Sequence, residues 1–124
     1  MIVDKCRDKS EFYNLYYNRD NERLPAPDAI LALPTYRCFY DDDGHLVGCI
    51  YLENEDGKVM LSGFARRRSY SQILEAIEYI LKLNPTLDIY SRTTKLTARY
   101  ALTGAGFEKI DDELYIRRAK NGRK

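Results

Sequence analysis

Apolar positions along the chain switch between two spacings, and the switches mark the elements. Tyr70, Ile73, Leu74, Ile77, Ile80 and Leu81 recur at i, i+3, i+4, i+7, i+10 and i+11, one face of a helix that Asn84-Pro85 closes. The stretch before it has the pattern of strands. Residues 36–40 and 46–53 are rich in β-formers and flank Asp41-Asp42-Asp43-Gly44, a turn in which Gly44 can take positive φ. Glu55-Asp56-Gly57 repeats the device and leads into residues 58–65, so three antiparallel strands are predicted as a meander. Beyond the helix, residues 87–91 read as a strand and 94–102 as a helix with Gly104 or Gly106 at its end. Residues 107–110 and 113–116 then form a closing hairpin around Asp111-Asp112. The first third is less regular. Residues 2–6 read as a strand, and Asp8 or Ser10 caps a helix carrying Phe12, Leu15 and Tyr16 that ends near Asn18. Residues 19–28, with Pro25 and Pro27, read as loop, and 29–33 as helix or loop stopped by Pro34.

Length sets the scale: 124 residues make one domain, taken as residues 1–119, followed by a basic tail at 120–124. The net charge of +1 argues against a general nucleic-acid binder, which needs a clear cationic surplus. No apolar run approaches the ~20 residues of a membrane span. The start Met1-Ile2-Val3-Asp4 is too soon charged for a signal peptide, so a soluble, cytoplasmic protein is expected. Cys6, Cys38 and Cys49 have no paired spacing and none accompanies His45, the single histidine, so no metal site is expected. They read as small buried hydrophobes in a reducing compartment. Eleven tyrosines without a tryptophan suit half-buried sheet faces and pocket rims.

Two stretches carry chemistry. Leu61-Ser62-Gly63-Phe64-Ala65 runs into Arg66-Arg67-Arg68-Ser69-Tyr70-Ser71 at the start of the main helix. The N-terminus is the wrong end of a helix for three cations unless an anion joins them there. Farther on stands Lys95-Leu96-Thr97-Ala98-Arg99-Tyr100-Ala101-Leu102-Thr103-Gly104-Ala105-Gly106-Phe107. The first stretch resembles the Arg/Gln-x-x-Gly-x-Gly/Ala loop of the GNAT family of N-acetyltransferases, with Arg66, Ser69 and Ser71 at the marked positions. The second resembles that family's Asn-x-x-Ala-x-x-x-Tyr-x-x-x-Gly-Phe helix. Ala98, Gly106 and Phe107 agree; Lys95 stands where Asn is usual and Leu102 where a catalytic Tyr is frequent.

The resemblance implies an α/β fold with a mixed, mainly antiparallel sheet, a splayed parallel pair formed by the strands at 58–65 and 87–91, and helices on both faces. It implies acetyl-CoA as co-substrate, no metal, and acyl transfer, most simply acetyl, to a primary amine by direct attack. Main-chain N–H groups of Ser62, Gly63 and Phe64 would polarise the thioester carbonyl. Arg66, Arg67, Arg68, Ser69, Tyr70 and Ser71, with Lys95 and Arg99, would hold the co-substrate. Glu53, or Glu55 beside it, would take the amine proton, and Tyr90 is the phenol placed to replace the missing one; Tyr100, about 200° around the helix from the family position, is turned away. The cropped form with serines in the loop also resembles small acetyltransferase-like proteins of phages. The alternative function is therefore a non-catalytic virion or host-interaction protein, and a third is a nucleic-acid or host-protein binder using Arg66–Arg68, Arg92, Lys95 and Arg99.

Overall fold

The computed structural model describes residues 2–18 and 24–120. The chain runs β1 (Ile2–Asp4), α1 (Lys9–Tyr17), α2 (Pro27–Leu31), β2 (Arg37–Tyr40), β3 (Leu46–Glu55), β4 (Lys58–Ala65), α3 (Tyr70–Leu83), β5 (Ile89–Arg92), α4 (Leu96–Gly104), β6 (Glu108–Lys109) and β7 (Leu114–Arg117). Asp8 is the cap of α1, its carboxylate accepting from the Ser10 N–H at 2.9 Å. The segment left open as helix or loop is α2. It begins at Pro27, inside the stretch read as loop, because proline at the first helical position gives up no needed N–H. The rest of that loop, residues 19–23, and the tail beyond Lys120 lie outside the described residues.

The sheet has seven strands in the order β1-β2-β3-β4-β5-β7-β6. Among the described residues only β4 and β5 run parallel; every other pair is antiparallel. Turn chemistry sets the meander. Asp56 and Gly57 both take positive φ (53° and 81°), a primed two-residue hairpin whose twist matches its strands. At the end of α4, Gly106 takes φ 98°, and the Phe107 N–H reaches back to the Leu102 carbonyl at 3.0 Å. Of the two glycines predicted there, Gly106 does the work.

Alternation along the strands sends side chains to two faces, and each face is covered. Val47, Leu61, Ile77, Ile80, Ile89 and Leu102 join the core under α3 and α4. Phe12, Tyr16, Ile30, Cys38, Cys49, Tyr51 and Phe64 join the core under α1 and α2. Cys38 and Cys49 sit opposite each other on β2 and β3, fully buried as expected. Cys6 is half-buried, and burial pushes its thiol up to about 11, which removes it as a nucleophile at neutral pH. Arg117 on β7 donates to the carbonyls of Asn84, at 2.7 Å, and Pro85, fastening the end of α3 to the sheet. Nothing in the sequence pattern marks Arg117 for that task.

Candidate functional site

The sheet is split where β4 and β5 part. Their parallel pairing holds Val59 to Ile89, Met60 to Tyr90 and Leu61 to Ser91, and then stops, while β4 continues to Ala65. The Ser91 hydroxyl donates to the Leu61 carbonyl at 2.8 Å and closes the fork at its root. Beyond it, the β5-facing side of residues 62–65 has no strand partner. On its other side β4 is paired with β3 along its whole length, from Glu55↔Lys58 to Gly48↔Ala65. The strand is thus rigid and half open.

A cavity of about 830 Å³ fills the fork. Its walls include Ser62, Gly63 and Phe64 of β4, Arg66, Arg67 and Arg68 of the following turn, Glu53 and Glu55 of β3, and Lys95, Ala98 and Leu102 at and along α4. The structure therefore brings together Glu53 and seven of the residues expected to hold a co-substrate. Phe64 also belongs to the core under α1. Its ring is packed edge-on against Phe12 and Tyr16 of α1, with centroids 5.5 Å away in each case. Gly63 is required by space: a Cβ there would lie 2.3 Å from the Cys49 carbonyl oxygen.

The turn from β4 into α3 is held at both ends. The Arg66 N–H continues the ladder to the Val47 carbonyl at 2.8 Å, and the buried Ser69 hydroxyl bonds to the Arg66 carbonyl. Between them Arg68 is in the left-handed region at φ 59°. That region is costly for a side chain, and such strain collects where a ligand is bound. Replacing Arg68 by glycine is expected to raise unfolding stability by about 1 kcal/mol while weakening anion affinity. Denaturant melts beside phosphate-ligand titrations would check both signs.

The three arginines are not equivalent. Arg66 donates to the Asp41 carboxylate at 2.9 Å. Asp41 also accepts from the N–H groups of His45 and Asp43, and these bonds, the His45 one first, hold its carboxyl below the usual carboxylate range. A depressed folded value means this anchoring is complete above the unfolded-state value and is lost as pH falls through the folded one. Arg67 and Arg68 have no hydrogen bond or ion pair among the described residues. They are the cations an incoming anion would meet. The ligand atoms of Asp41, Asp43 and His45 lie within 4.8 Å of one another, but that exposed turn already has Arg66 as its cation.

Several expected site residues are elsewhere. Tyr90 does not line the fork: Ile89 and Ser91 take the inward positions on β5, and Tyr90 lies against Lys58, whose ammonium is 5.8 Å from the ring centroid. Arg99 is a quarter turn or so from Ala98 on α4 and donates to the Asp112 carbonyl at 3.0 Å. The Tyr70 hydroxyl leans on Gly104 at the far end of α4. Ser69, Tyr70 and Ser71 offer the helix start their main chain, with no side-chain cap. Among the described residues, no tyrosine, cysteine or histidine lines the fork. The sequence reading missed the Glu55–Arg92 ion pair, 3.0 Å, which spans from β3 to β5 across β4. Such long-range pairing leaves no mark in local spacing.

No family model matches the chain, and no curated protein matches its sequence. Solved structures do. A spermidine N-acetyltransferase SpeG chimera from Vibrio cholerae and hSSAT superposes with a TM-score of 0.61 at 11% identity, over 94% of each chain. A GNAT-family acetyltransferase from Listeria monocytogenes is similar over 93% of this chain and 91% of its own, at 12% identity and a TM-score of 0.48. Likeness at such identity speaks to architecture, and the architecture, with its split parallel pair between a meander and a closing hairpin, is the GNAT N-acetyltransferase fold.

Proposed function

We propose that the chain transfers an acyl group from acyl-CoA to a primary amine. One observation carries this: the fork beside β4 opens onto a single cavity with Arg67 and Arg68, cations unpaired among the described residues, at one end and a carboxylate, Glu53, on its wall. The residues present suit the co-substrate. Arg67, Arg68 and the bare N–H groups at the start of α3 suit a pyrophosphate, and the unpartnered edge of β4 suits the amide arm that follows. The co-substrate supplies the thioester, and the chain supplies position and charge. Main-chain donors of residues 62–64 polarise the carbonyl, and Glu53 takes the proton from the amine. With no phenol among the described residues of the fork, water protonates the departing thiolate. A thiol of pKa 8–9 leaves without a strong acid, so turnover is slow but not abolished.

The acceptor is a cationic amine. Glu55 is tied to Arg92, which leaves Glu53 to attract it, and spermidine, acted on by the chimera, is the first acceptor to try. Calorimetry with acetyl-CoA at low salt is expected to give a micromolar dissociation constant. No heat at millimolar ligand would end the reading. Glu53→Gln should lower kcat about 10²–10⁴-fold with acetyl-CoA affinity kept.

A second reading keeps the fold and drops the chemistry: a virion or host-interaction protein. The buried Leu102 in place of a phenol is what favours it. Acetyl-CoA binding without thiol release across a panel of amines would select it.

A further inference from the structure

The far end of the cleft is made of hydrocarbon. If the pyrophosphate lies at Arg67 and Arg68, the acyl end lies at the root of the fork, where β4 and β5 part at Leu61 and Ser91. Five residues of strand separate Arg66 from Leu61, about 16 Å, which is within the reach of an extended pantetheine arm. Around that root stand Leu61 of β4, Ile77 of α3, and Ala98 and Leu102 of α4. Three of these four are buried, and Ala98 is half-buried. The Ser91 hydroxyl beside them is donated to the Leu61 carbonyl.

We infer that the acyl group accepted here is longer than acetyl: a straight aliphatic chain of several carbons, with Leu102 and Ala98 setting its length. The inference rests on the acyl-CoA reading above. Each further methylene of the acyl chain lodged against these walls leaves water for hydrocarbon. The step balances as ordinary aminolysis. The amine nitrogen bonds to the carbonyl carbon, the carbon–sulfur bond breaks, the thiolate leaves with the electron pair, and the proton lost by nitrogen ends on Glu53 or water.

The test is a titration series, with no acceptor present, of CoA, acetyl-CoA, butanoyl-CoA and hexanoyl-CoA against the intact protein. Affinity is expected to rise about fourfold per added methylene from acetyl to hexanoyl. Leu102→Tyr and, separately, Ala98→Leu should flatten that rise, each being checked for an unchanged fold by thermal melting. Ala98 is only half-buried, so this variant remains informative if Leu102→Tyr fails to fold. If CoA itself does not bind, the acyl-CoA reading fails. If CoA binds and the series is flat or falls in the parent, this inference alone is overturned. A rise that survives in a folded Ala98→Leu variant would also overturn it, since the chain would then lie elsewhere.

Discussion

Gly63→Ala is expected to cost about 1–3 kcal/mol of stability, and to lower acyl-CoA affinity by more than that loss of folded protein explains. The added methyl would stand 2.3 Å from the Cys49 carbonyl oxygen and 3.0 Å from Ile50 Cγ2. The first of these is backbone, so β3 and β4 must separate rather than a side chain turn aside. β4 carries the main-chain donors of the fork, and the shift displaces them. Gly57→Ala is the control: its φ of 81° disfavours a side chain, yet a Cβ there meets nothing within 4 Å. It should cost about 1 kcal/mol in the turn and leave affinity unchanged. Denaturant unfolding and calorimetry on the two variants separate the cases. Equal affinities would show that β4 does not bind the co-substrate.

The second large effect is on charge. Arg67→Ala and Arg68→Ala are each expected to weaken acyl-CoA binding by about 1.5–3 kcal/mol, the range for hydrogen bonds to charged groups, and to flatten its dependence on salt. Arg66→Ala should matter less. Its guanidinium is already bonded to Asp41, and an anion would have to compete with that carboxylate. Arg66 is exposed and Asp41 half-buried, so loss of the pair should cost the fold no more than about 1 kcal/mol. Titrations at two salt concentrations check the ranking. If Arg66 proves dominant, the Asp41 bond must break on binding.

This ranking inverts what the sequence offers, and the reason is instructive. Arg66 fits the family's first loop position, so spacing singles it out; its partner lies twenty-five residues earlier, on a hairpin turn that spacing cannot connect to it. The meander, the main helix and the closing hairpin were all legible because period and turn residues are local properties. The fork was expected from the resemblance to the GNAT family, whereas Gly63 answers to the close approach of β3. Tyr90 misled. Its strand was read as residues 87–91, whereas β5 is Ile89–Arg92, and within it Ile89 and Ser91 take the inward side. Arg99 misled similarly: Ala98 faces the cleft, and the next helical position is about 100° away.

The unequal fastening of the two fork strands has a mechanical result. β4 is the jamb of a doorway, fixed to β3 at every residue and pinned by the Phe64 ring between Phe12 and Tyr16. β5 is the leaf, hung on three residues of β4 and swinging from the Ser91–Leu61 bond. β7 is paired with the leaf, whereas α4 is packed on α3, so Leu102 belongs to the frame. A guest in the doorway therefore meets donors and a measuring wall that are both fixed, beside a strand held along only three residues.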